Sequence, residues 1–119
     1  MDAHELYVRG GEHDSAGRAD EAIPLYEQAL AAGLAGEERA RCLLQLGSSL
    51  RNVDRIDEAV ALLQEARREF PDFRPLRAFL ALALHSAGRD AEALRELLEA
   101  IAEEGVYERS LRAYAADLV

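Results

Sequence analysis

From Ala40 to Pro71 the chain reads ARCLLQLGSSLRNVDRIDEAVALLQEARREFP. Leu43, Leu46, Gly47 and Leu50 fall at i, i+3, i+4 and i+7, and after a break Ala59, Leu62, Leu63, Ala66 and Phe70 resume the same period. Two amphipathic helices are predicted. The break, Asn52-Val53-Asp54-Arg55, has room only for a tight turn, so the two helices must pack antiparallel as a hairpin. Gly47 in the first helix and Ala59 and Ala66 in the second let the backbones approach closely, while Leu43, Leu46, Leu50 and Leu63 fill the flanks. Pro71 cannot continue a helix and Pro75 suits the first turn of the next, which sets a boundary across Pro71-Asp72-Phe73-Arg74-Pro75.

The arrangement recurs on both sides of this hairpin. A small residue is followed twelve positions later by an alanine after an acidic side chain, and four further on by a bulky apolar residue. The instances are Gly10, Glu21-Ala22 and Tyr26; Gly47, Glu58-Ala59 and Leu63; Ala81, Glu92-Ala93 and Leu97; Ala29, Ala66 or Ala100 completes each. Such recurrence predicts a stacked helical array. Gly17 and Gly88 divide the outer pairs at points where a positive φ angle ends a helix. Ala32-Gly33-Leu34-Ala35-Gly36 absorbs the extra residues between the first and second units. Beyond Gly105, a stripe of Tyr107, Leu111, Tyr114, Ala115 and Leu118 predicts a terminal helix with one apolar side, which such an array needs to cover its last face. The predicted fold is all-α: one domain over 1–119, with antiparallel helix-turn-helix repeats at about 3–36, 40–73 and 74–105 and a capping helix at about 107–118.

A chain of 119 residues, half of them hydrophobic, supplies one compact core and excludes two large domains. Its formal net charge of −9 repels nucleic acid and anionic membranes, so neither is expected as a partner. The single cysteine, Cys42, leaves no intramolecular disulfide and fits a reducing compartment. Met1-Asp2-Ala3-His4-Glu5 lacks the basic and apolar regions of a signal peptide, and no run is long enough for a membrane span, so a cytoplasmic location is expected.

The helix-turn-helix unit with this small-residue spacing resembles the tetratricopeptide repeat, and the second unit, Ala40 to Pro71, fits that pattern best. Gln45 to Asn52 and Tyr107 to Ala115 also look like the small bacterial group-five members of the family. The first unit departs from the pattern at His13, where a large aromatic is usual, and at Gly11, a helix-interior glycine costing about 1 kcal/mol relative to alanine. The resemblance implies a right-handed solenoid whose first helices line a concave groove. Carried over by position, that groove comprises Tyr7; Arg41, Gln45, Ser48, Arg51 and Asn52; and Phe79, Leu82 and His85, with Leu44 beside them. Arg39, Arg41, Arg51, Arg74 and Arg77 make the first helices less acidic than the second. A groove of arginine forks, amides and an aromatic suits an extended or helical peptide, including one that bears a carboxylate. The chaperone-binding members of the family place lysine, asparagine and arginine where this chain has Tyr7, Gly11, Gln45, Pro75 and Phe79, which argues against a chaperone co-factor role.

No constellation of residues points to catalysis, a metal or a cofactor. His4 and His13 lie half a turn out of phase on one helix, and His85 stands alone on another. Ser48-Ser49 has no strand-turn-helix elbow, and Gly10-Gly11 has neither the strand nor the downstream lysine of a phosphate loop. The expected function is therefore a non-enzymatic protein-interaction scaffold. The first alternative is structural self-association through apolar residues near the ends (Leu6, Tyr7, Val8, Tyr114, Leu118, Val119), giving a homodimer in place of a monomer. A small-ligand sensor ranks third.

Overall fold

The computed structural model describes residues 1–105 and 107–118. Val119, counted above among the apolar residues of the ends, lies outside them. Among the described residues there are seven α-helices and no strand: α1 (Ala3–Ser15), α2 (Ala19–Ala31), α3 (Gly36–Asn52), α4 (Ile56–Glu69), α5 (Pro75–Ser86), α6 (Asp90–Ala102) and α7 (Glu108–Asp117). The all-α expectation holds. Consecutive helices pack on one another along an elongated body of 48 × 28 × 21 Å, and α3 also touches α1 and α5, so the first helices of the pairs lie side by side.

The three hairpin turns share one backbone device. Gly17, Asp54 and Gly88 all have positive φ, at 79°, 66° and 75°. In each case the next residue is an arginine whose N–H bonds to a carbonyl five residues back: Arg18 to His13, Arg55 to Leu50, Arg89 to Leu84. This closes the first helix with its last carbonyls satisfied. The same arginine then starts the second helix, and its guanidinium reaches a carboxylate three positions on, pairing Arg18 with Glu21 at 2.8 Å, Arg55 with Glu58 at 2.6 Å, and Arg89 with Glu92. The acidic residue that precedes each repeated alanine thus has a fixed partner. It also complements the positive end of its helix.

Small residues act as expected in the core. A Cβ at Gly10 would lie 2.6 Å from the ring of Tyr26, and one at Gly47 would lie 2.5 Å from Leu63. Tyr26, Leu63, Ala22, Ala59, Ala29 and Ala66 are all buried. Gly47 therefore makes room for the Leu63 side chain. Gly11, by contrast, faces open space.

The third hairpin differs in two ways. Arg77 stands where the second repeat has Leu43, and it is buried against Glu96 at 3.2 Å, Glu99 at 3.4 Å, and Glu103; Arg67 of α4 also pairs with Glu96. Burial opposes the charge on Arg77, but Glu96 and Glu103 outweigh it and hold the guanidinium above its ordinary pKa. Leu97, the counterpart of Tyr26 and Leu63, is 40% exposed. The reason lies in α7, which packs on α6 without reaching α5. Only part of the expected stripe on α7 is covered, since Ala115 is buried and Leu111 and Leu118 are half-buried while Tyr107 and Tyr114 are exposed.

Candidate functional site

Where α1 and α3 run side by side, a cavity of about 460 Å³ opens between them, lined by Tyr7, Val8, Gly11, Asp14, Ser15, Gln45 and Ser48, with Tyr26 of α2 behind. Its shape follows from the glycines. Gly10 seats the Tyr26 ring in the core, and Gly11, one position on, leaves space where any side chain would project. The rings of Tyr7 and Tyr26 lie 6.3 Å apart and tilted by 41°, forming one wall.

Asp14 organises the floor. One of its carboxylate oxygens accepts from the Tyr26 hydroxyl at 3.0 Å and from the Ser49 hydroxyl at 3.1 Å, tying α1 to α2 and α3. Burial, followed by the negative charge of Asp14 and the bond it accepts, raises the Tyr26 phenol well above its ordinary pKa, so the hydroxyl stays a donor. Cys42 lies fully buried behind this wall, and burial pushes its thiol up to about 12. It is inert at neutral pH.

The sequence-predicted groove residues divide into three groups. Tyr7, Gln45 and Ser48 meet in the cavity. Leu82 and His85 line a separate depression between α5 and α6, where His85 Nδ1 lies 2.7 Å from a carboxylate oxygen of Asp90. Arg41, Arg51, Asn52 and Phe79 lie in neither. Arg41 is exposed and pairs with Glu37, one turn back, at 3.0 Å; Arg51 donates to the Ser86 hydroxyl at 2.8 Å, bridging α3 to α5. Asn52 is exposed at the end of α3, and Phe79 is half-buried against the core. Leu44, placed beside the groove by position, is instead buried in the core.

The charge reading also needs correction. Arg39 pairs with Glu69 at 2.6 Å, Arg74 with Glu104 at 3.1 Å, and Arg77 is enclosed by glutamates, so these three neutralise acids instead of facing the groove. Arg41 likewise pairs with Glu37, and Arg51 is the one of the five that donates to a hydroxyl in place of a carboxylate. Asp14 was missed from the sequence because its partners lie 12 and 35 residues away. The available signal was Tyr26 itself, since a phenol buried at a packed position requires a hydrogen-bond partner.

Polar groups that can serve a main chain, namely the Gln45 amide and the Ser48 and Ser15 hydroxyls, surround the aromatic wall. They can donate to and accept from peptide groups. Each histidine faces a carboxylate: His4 meets Glu38 at 2.8 Å, His13 meets Glu21 at 3.0 Å, and His85 meets Asp90. Among the described residues, no cluster of three or more His, Cys, Asp or Glu side chains could hold a metal ion, and no helix is long and apolar enough to cross a membrane.

Over residues 3–118 the sequence matches a family model described as "Tetratrico peptide repeat". Comparison with curated proteins gave no match.

Proposed function

The chain belongs to the tetratricopeptide repeat family, whose members serve in general as protein-interaction scaffolds, and from this premise we propose that its groove face holds a peptide segment of a partner protein. The observation that carries this reading is the cavity between α1 and α3, where a glycine opens space beside an aromatic wall and three uncharged polar side chains. An extended segment would set a side chain against Tyr7 and exchange main-chain hydrogen bonds with Gln45 and Ser48. Its neighbouring residues would run towards Arg51, Asn52 and Phe79 along α3 and α5. A carboxylate on the peptide would be met by Arg41 or Arg51, each of which would leave its present partner, Glu37 or Ser86, to do so. The scaffold is non-enzymatic and cytoplasmic in this reading.

Gly11→Leu tests the site, because a Cβ at this position has nothing within 4 Å and the larger side chain takes up cavity space without displacing the core. Peptides selected from a random display library on the wild-type protein should lose at least tenfold in affinity for this variant, with helix content unchanged. Selected peptides that bind wild type and Gly11→Leu equally would remove the cavity from the proposal.

A further inference from the structure

Each of the first two hairpins presents a valley of small residues ending in one large side chain, and the helix that follows packs across each, leaving in the first only the cavity beside Gly11. Helix α3 packs on α2 and touches α1, and α5 packs on α4 and touches α3, leaving Tyr26 and Leu63 without exposure beyond 1%. The third hairpin has the same valley, floored by Ala78, Ala81 and Ala93 and walled by Leu82, Leu94 and Leu97. Here α7 follows but contacts α6 alone, so the valley stays open as an apolar depression of about 490 Å³. Of the eight large hydrophobic residues exposed among the described residues, six belong to this end: Leu82, Leu94, Leu97 and Ile101 beside the valley, Tyr107 at the N-cap of α7 and Tyr114 within it. Such concentration at one end is unlike the scattered exposure ordinary for a monomer.

We propose that a second copy of the chain fills the valley, with α7 of each copy lying between α5 and α6 of the other. The occupant's form follows from the molecule itself, because the two equivalent valleys each seat an α-helix. Its identity follows from what is unpartnered at the same end: α7 exposes Tyr114, the left-handed residue just before it exposes Tyr107, and among the described residues neither side chain is buried. A valley and a helix that complement each other within one molecule satisfy both contacts at once under a two-fold axis. Charge agrees with this pairing. Helix α7 carries Glu108 and Asp117 against Arg109 and Arg112, which cancel, so the inserted element adds no charge to the overall −9 of its partner. Repulsion between the remaining acidic surfaces is screened by salt. The dimer therefore strengthens as ionic strength rises. It covers Leu82 and His85 and leaves Tyr7, Gln45 and Ser48 open, so it stands or falls separately from peptide binding.

Sedimentation equilibrium of the full chain across the micromolar range should give twice the chain mass of 13.1 kDa, with dissociation favoured at low salt. Leu94→Glu and Tyr114→Glu alter exposed side chains and should each halve the mass with an unchanged helical spectrum. Geometry is read by mixing Leu94→Cys protein with Tyr114→Cys protein under mild oxidation, the native Cys42 being buried and silent. A disulfide joining the two variants is expected. A monomer at every concentration would overturn the proposal, whether the valley then serves a different protein or the chain's own α7. So would a dimer insensitive to both glutamates, or one cross-linking Leu94→Cys only to itself.

Discussion

His4, in the first turn of α1, lies with Nδ1 2.8 Å from a carboxylate oxygen of Glu38 on α3. Its bond with the Glu38 carboxylate, and then the charge of that carboxylate, raise its pKa above the ordinary 6.5. The folded state thus binds the proton more tightly than the unfolded chain does, so the contribution is fully present below 6.5 and disappears as pH rises through the raised value. An NMR titration should find the His4 midpoint above 6.5, and Glu38→Gln should lower it. At this scale the sequence is least legible. Glu38 is 34 residues from His4 and Ser49 is 35 from Asp14, and no local pattern announces either pair. What the sequence does announce is need: a buried tyrosine, or an arginine at a leucine position, implies a partner without naming it.

Adjacent glycines in α1 have opposite reasons for being there. Gly10 and its counterpart Gly47 lie where a methyl group would strike a buried side chain, whereas Gly11 faces open space. Gly11→Ala should stabilise the protein by about 1 kcal/mol through helix propensity alone. Gly47→Ala should destabilise it by about 1–3 kcal/mol, because Leu63 is fully enclosed and overpacking forces it out of place. Urea unfolding of both variants reads the two signs directly. At the level of elements the sequence was largely legible, since a 3.6-residue apolar period and the Gly17, Gly88 and Pro75 signals set the helices and their ends. Asp54 was harder, being a non-glycine residue in the left-handed region. The terminal helix α7 is present and packs on α6, but how much of its stripe is covered was not legible: a stripe shows that a helix has an apolar side, and which neighbour covers it depends on how the preceding loop aims the helix.

Across the described residues, contacts join each helix to its neighbours in sequence and α3 also to α1 and α5, and α1 does not pack on α5, α6 or α7. Stability then propagates through nearest neighbours, with the middle supported from both sides and the ends from one. Amide hydrogen exchange should be slowest in α3 and α4 and faster in α1 and α7; equal protection in all seven helices would show a single cooperative unit instead. The groove was legible at this scale only as a surface. Position within the repeat assigned Tyr7, Gln45 and Ser48 to it, but the cavity depends on how α1 and α3 are spaced, which tertiary packing determines. The three turns, each with a left-handed residue followed by an arginine tied to a glutamate three positions on, have a bearing on ancestry. A hairpin copied or lost as a cassette would carry its own turn and its own ionic clasp with it. Such a chain can change length by whole units while every surviving joint stays in register.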